Sequence, residues 1–166
     1  MKVFNMNKNF VLFCVLTTAT ALIGCKSRQQ KALVYIHKTD ALLQSVIDSS
    51  FDYTTAFEGN KKTNRQQCHF AYRQLIERNI DSLEQVGRFG PDSSVYLQAQ
   101  NMLFFYKNRI SLQFEPMLAY NDTPTKNEIL VRDSIIRNFV SFENYLWENY
   151  TITKTEFMLR YKLLAE

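Results

Sequence analysis

Past Gly24, only Gly59, Gly87, Gly90, Pro91, Pro116 and Pro124 punctuate this 166-residue chain with the two residue types that interrupt regular backbone most strongly. Between them run long stretches in which apolar residues recur at spacings of three, four and seven. Sandwiches and barrels spend glycine and proline on frequent turns, so a chain with this few is committed to long helices. The length suits one domain, able to bury a core without metal or disulfide staples.

The punctuation sets the expected elements. A first helix over about Gln29 to Glu58 places Leu33, Ile36, Leu43, Val46, Ile47 and Phe57 broadly on one face, and Gly59-Asn60 stops it. A second, from about Lys61 to Val86, carries Cys68, Tyr72, Leu75, Ile76, Ile80 and Leu83, and ends at Gly87-Arg88-Phe89-Gly90-Pro91. Asp92 or Ser93 can cap the third, from about Ser93 to Glu115, with Ala99, Met102, Leu103, Tyr106, Ile110 and Phe114 inward and Pro116 kinking or ending it. Thr123-Pro124-Thr125 opens a fourth, with Ile135, Phe139, Phe142 and Leu146 as its core stripe to Tyr150. Thr151-Ile152-Thr153 lowers helix propensity, and Thr153 with Glu156 resembles a capping box. The stretch to Leu164 is thus either a short fifth helix or a bent continuation. Amphipathic helices with short connections pack most economically as sequential neighbours. The expected fold class is all-α: an antiparallel up-down four-helix bundle over residues 31–166, with room for a short fifth C-terminal helix.

The N-terminus obeys different rules. Lys2 and Lys8 precede an apolar run from Phe10 to Ile23, the length of an export-signal core and too short to cross a bilayer comfortably as a helix. It ends in Leu22-Ile23-Gly24-Cys25. This motif resembles the lipobox of bacterial lipoproteins: a branched apolar residue, a tolerated residue, a small residue, then cysteine. The resemblance covers the leader alone. It implies that residues 1–24 are removed by type II signal peptidase and that Cys25 becomes the first residue, carrying a diacylglyceryl group and often a further acyl chain such as palmitate. Residues 25–30 would then form a polar, lipidated tether. Two or more chains make membrane residence long-lived, so the expected partner on that side is a membrane, through the lipid on Cys25. Lys26 stands where some inner-membrane lipoproteins carry aspartate, so the expected location is the bacterial cell envelope, on the outer membrane facing the periplasm rather than on the inner membrane.

Charge argues against nucleic acid as a partner. Twenty Lys and Arg face sixteen Asp and Glu; without Lys2 and Lys8 the balance is 18 against 16, a net of +2 with no dense basic block. Cys14 leaves with the leader and Cys25 is lipidated, so Cys68 is the single thiol left and no internal disulfide is expected.

Motifs that carry chemistry are missing from the sequence. Di-metal bundles turn Glu-x-x-His pairs inward, and none occurs; His37 with Asp40 reads as an exposed pair, and His69 lacks a second ligand. Asp48 with Asp52, and Glu77, Asp81 and Glu84, read as solvated faces rather than tuned acid and base pairs. Glu128 with Arg132, and Asp133 with Arg137, have the spacing of surface ion pairs. There is no Gly-x-Ser-x-Gly elbow, no Ser-x-x-Lys and no glycine loop to cradle phosphate, so no catalytic residue, metal or cofactor is expected.

Aromatic residues are the compositional excess, with 13 Phe and 9 Tyr concentrated in Phe104-Phe105-Tyr106 and from Phe139 to Tyr150. Consecutive aromatics cannot all face one core, so part of the set Phe105, Tyr145, Trp147 and Tyr150 is expected at a groove, an interface or the bundle's end. The expected function is that of a non-enzymatic, membrane-anchored envelope lipoprotein whose helical bundle engages another protein or itself. The alternative is a module that holds a peptide, cell-wall fragment or small apolar molecule between its helices.

Overall fold

In the computed structural model the backbone is described over residues 8–59 and 61–164, and the side chains over 28–59 and 61–164. The lipobox and the lipidation of Cys25 lie outside the described side chains. Among the described residues four α-helices form the fold: α1 (Lys8–Glu58), α2 (Lys62–Val86), α3 (Ser94–Arg109) and α4 (Lys126–Arg160). Helical backbone in α1 begins before Gln29 and includes the 25–30 segment expected as a tether.

Contacts fix the topology. Tyr72 Oη donates to the Val46 carbonyl at 3.2 Å and Asn79 Nδ2 to Ser45 Oγ at 2.8 Å, while Tyr53 meets His69; α1 descends as α2 ascends. Tyr106 bonds Glu143, and Arg160 pairs with Asp92 at the start of α3, so α3 and α4 are antiparallel as well. Tyr150 bonds Asp40, and Arg132 donates to the Glu58 carbonyl at 2.9 Å, which closes α4 against α1. The result is an all-α, up-down four-helix bundle with α1 packed on α2, α2 on α3, α3 on α4 and α4 on α1.

Local chemistry explains the boundaries. Gly87 ends α2 at φ +65°, where a side chain would be strained, and its N–H donates to the Leu83 carbonyl. Ser93 stands at the N-cap of α3 without a side-chain cap bond, and Asp92 just before it accepts through Oδ1 from both the N–H and the hydroxyl of Ser94. Thr125 caps α4 in a full capping box: its Oγ1 accepts from the Glu128 N–H, and the Glu128 carboxylate accepts from the Thr125 N–H at 2.7 Å.

Pro116 acts differently from a simple stop. Its ring cannot sit beneath an ordinary helical carbonyl four residues back. The chain accommodates it by widening into a π-helical turn over Ile110–Phe114, then tightening into a 3₁₀ turn over Glu115–Ala119. Ile110, Phe114 and Met117 stay buried throughout.

No fifth helix forms: α4 runs unbroken through Thr151-Ile152-Thr153. The propensity cost of two threonines is a few tenths of a kcal/mol each, about 0.5 or less. The fully buried Tyr150 and Phe157 on either side outweigh it.

Aromatic rings account for much of the core. Tyr53 stacks on Tyr72 at 4.5 Å and touches Phe57 and Phe114 at 4.9 and 5.0 Å; Phe114 meets Phe139 edge-on at 5.2 Å. This chain of rings joins α1, α2, the π turn that follows α3, and α4 near the α1–α2 turn. A second cluster, Tyr35, Phe89, Phe157 and Tyr161, fills the opposite end with centroids 4.5 to 5.6 Å apart.

Two residues expected in the core are not there: Leu33 and Phe142 are exposed. For Phe142 the core centre of α4 lies nearer Ile136, Phe139, Tyr150 and Phe157, which rotates position 142 to the flank. Leu33 likewise stands one position off the line that Ala32, Tyr35, Ile36 and Thr39 take through α1.

Candidate interaction surface

The outer face of α4 carries a line of exposed apolar side chains among its polar ones. Val131, Tyr145, Ile152 and Leu159 share one line at multiples of seven residues, with Asn138 at the intervening position. Their exposures are 40, 57, 52 and 52 %. A seven-residue interval keeps side chains on one slowly drifting line, the pattern by which one helix meets another. Over the 28 positions from Val131 to Leu159 the line is about 42 Å long.

Toward α3 this line broadens into an aromatic seam. Phe105 lies stacked between Phe139 at 5.5 Å and Phe142 at 5.2 Å, and Phe142 continues to Tyr145 at 5.7 Å. The Arg109 guanidinium covers the rings of Phe105 and Phe142, 5.6 Å from each centroid. Phe104 adds a further exposed ring on α3.

Of the four aromatics expected at a surface, the fold thus unites Phe105 and Tyr145 through Phe142 and separates the other two. Trp147 is half-buried on the opposite flank of α4, stacked on Tyr150 at 5.5 Å with Lys154 Nζ 6.0 Å above its ring. Tyr150 is wholly buried, which corrects its placement at a surface. Its hydroxyl donates to Asp40 Oδ1 at 2.8 Å, and the helix turns that hydroxyl toward α1. Phe142, which had been read as core, is the ring that belongs to the exposed seam.

The buried polar groups serve the packing. Asp40, expected to pair with His37, instead receives Tyr150 and Lys154, the latter at 3.2 Å, while His37 is exposed. Burial, with the Asp40 charge beside it, pushes the Tyr150 hydroxyl far above its ordinary pKa. Burial and the Glu143 charge do the same to Tyr106, whose hydroxyl donates to Glu143 at 2.7 Å. His69 and Tyr53 share a 3.0 Å hydrogen bond between Nδ1 and the hydroxyl, and burial lowers the imidazole pKa, which favours the neutral ring. These hydroxyls resist ionisation and offer neither a poised base nor an activated nucleophile.

Arg65 is the buried cation that the apolar pattern missed. Its guanidinium donates to the carbonyls of Gly59, Tyr120 and Asn121, tying the α1–α2 turn to the chain entering α4. The signal was present: Arg65, His69, Tyr72, Ile76, Asn79 and Leu83, the buried residues of α2, follow alternating steps of four and three.

Openings are shallow. A groove of about 240 Å³ runs between α1 and α2 past Asp52, Tyr53, Cys68, Tyr72 and Arg78, and a space of about 320 Å³ lies at the end of the bundle beside Arg28, Arg160 and Lys162. Among the described residues no three His, Cys, Asp or Glu side chains gather in a way that could hold a metal, and no helix is long and apolar enough to cross a membrane. Set against protein-family profiles, curated proteins and solved structures, the chain matches none of them.

Proposed function

We propose that this protein is a non-enzymatic lipoprotein of the bacterial cell envelope, held on a membrane by acyl chains on Cys25, whose bundle engages an amphipathic helix through the outer face of α4. The observation that carries the docking half is the seven-residue line of exposed apolar side chains, Val131, Tyr145, Ile152 and Leu159, continuous with the Phe105–Phe142 seam. A helix with a matching stripe, from a partner protein or a second copy of this chain, has the shape and periodicity to cover it. The anchoring half is supported by Leu22-Ile23-Gly24-Cys25 at the end of its apolar run. The lack of aspartate after Cys25 favours the outer membrane facing the periplasm. The test is photo-crosslinking from position 152 in the membrane-extracted protein: a defined adduct to another chain or a second copy supports the reading. Turnover of any substrate, abolished by one polar substitution, contradicts it.

A second reading draws on the groove between α1 and α2, where Tyr72, Leu75 and Cys68 offer an apolar floor and Asp52 and Arg78 a charged rim. A small apolar molecule or peptide side chain fits about 240 Å³. Saturable binding quenched by Leu75→Arg would favour this reading over the helix-docking one.

A further inference from the structure

We propose that the end of the bundle nearest Cys25 is a docking face for the headgroups of anionic phospholipids, formed by Arg28, Lys31, Arg88, Arg160 and Lys162. It rests on the lipid-anchor reading above. Three segments converge there: the start of the described side chains of α1, the α2–α3 loop and the end of α4. Phe89 of the loop touches Tyr35 at 5.3 Å and Tyr161 at 5.0 Å, and Gln29 Nε2 donates to the Lys162 carbonyl at 3.3 Å. Between them lies the space of about 320 Å³ lined by Arg28, Gln29, Arg160, Tyr161 and Lys162, with the Arg28 guanidinium 5.3 Å over the Tyr161 ring.

Charge is distributed unevenly along the bundle axis. Residues 28–31, 84–93 and 158–164 hold five Lys and Arg against Glu84 and Asp92, a net of +3. At the far end, residues 56–66 and 115–128 hold four of each sign, a net of zero. Asp92 is engaged by Arg160 and by Ser94, which leaves Arg28, Lys31, Arg88 and Lys162 with no carboxylate partner among the described residues.

Chain length supplies the occupant. Two residues separate Cys25 from Arg28, and along the helical backbone of α1 the three steps rise about 4.5 Å, within the screening length of physiological salt. With the acyl chains of Cys25 in a leaflet, these cations lie among the phosphates of its headgroups. The guanidinium fork suits a phosphate, and the neutral far end is not drawn down, so the bundle stands away from the membrane.

The test uses the membrane-extracted protein with its native N-terminus, reconstituted in phosphatidylcholine vesicles with or without about one third phosphatidylglycerol. Trypsin cleavage after Arg28, Arg160 and Lys162 is expected to slow roughly tenfold with the anionic lipid and to recover at about 0.5 M salt. Cleavage after Arg78 and Lys107, exposed on α2 and α3, serves as the internal control and stays unchanged. The double variant R28E/K162E, which keeps the Arg160 cleavage site and leaves the Arg160–Asp92 pair intact, should lose the protection at Arg160 while keeping its helical circular dichroism. Equal cleavage in both vesicles overturns the proposal, as does equal protection by inorganic phosphate in phosphatidylcholine alone. Intact mass of the same sample separates the two layers: an acylated Cys25 with equal cleavage sinks this face alone, whereas an unacylated Cys25 sinks the anchor.

Discussion

The Tyr150 hydroxyl donates to Asp40 Oδ1 at 2.8 Å, joining α4 to α1 across 110 positions of sequence. Lys154 completes the group at 3.2 Å from the same carboxylate. Asp40→Ala would leave the buried hydroxyl without an acceptor and is expected to cost about 1–3 kcal/mol. Tyr150→Phe removes the donor instead, leaving Asp40 with Lys154, and should cost about 1–2 kcal/mol. Urea denaturation of the two single variants and the double variant would check this; additive losses would contradict the pairing.

Arg65 makes a different kind of tie, a fork shared among three backbone carbonyls. Lysine keeps the charge but cannot divide it over that geometry. Arg65→Lys should therefore lower stability by about 2 kcal/mol, and Arg65→Met by more, since buried carbonyls lose their donors. Hydrogen exchange should locate the loss at residues 59–62 and 120–122.

The pH dependence follows from His69. Burial lowers its pKa in the folded state, so below the ordinary imidazole value of about 6.5 the unfolded chain binds the proton more readily. Stability is full above that value and falls as pH drops through it toward the folded pKa. Melting temperature measured between pH 7.5 and pH 5 should decline, and His69→Asn should flatten the decline. Asp92 acts in a separate, more acidic window. Burial pulls its pKa upward, but hydrogen bonds from Ser94 and the Arg160 guanidinium outweigh that and hold it below the usual carboxylate value. Its contribution is lost only as pH falls below about 3.9.

Exposed positions on α4 should behave oppositely to the core. Ile152→Glu changes a side chain that faces solvent and is expected to change stability by about 0.5 kcal/mol or less, and Tyr145→Glu, which also gives up the ring contact with Phe142, by about 1 kcal/mol. Phe139→Ala, in the centre of the aromatic chain, should cost about 3–5 kcal/mol. If the outer-face variants instead unfold the domain, the line is structural and the docking surface is lost as an idea. Retained melting with lost association would support it.

How far the sequence could be read is clearest helix by helix. In α3 and the π turn after it every expected inward residue, from Ala99 to Phe114, is buried, because the apolar positions are dense enough to define the phase alone. In α2 half of the buried line is polar, and an apolar-only pattern passed over Arg65, His69 and Asn79; their partners lie on other segments and cannot be seen locally. In α4 aromatics occur on several faces, so phase is ambiguous: apolar spacing puts Phe142 inward, whereas it is exposed, and Tyr150, one of four rings of which some are expected at a surface, is buried. The propensity dip at Thr151-Ile152-Thr153 suggested a break that burial of Tyr150 and Phe157 overrides. The candidate surface was legible only as a surplus of rings. Its location required knowing which face of α4 meets α1 and α3.

The most direct measurement is intact mass of the membrane-extracted protein combined with photo-crosslinking from positions 145 and 152. The account predicts a chain beginning at an acylated Cys25, with crosslinks from the outer face of α4 to a helix of another chain. A chain that still carries Met1 and an unmodified Cys25, with no crosslink from either position, would contradict both the anchor and the docking surface.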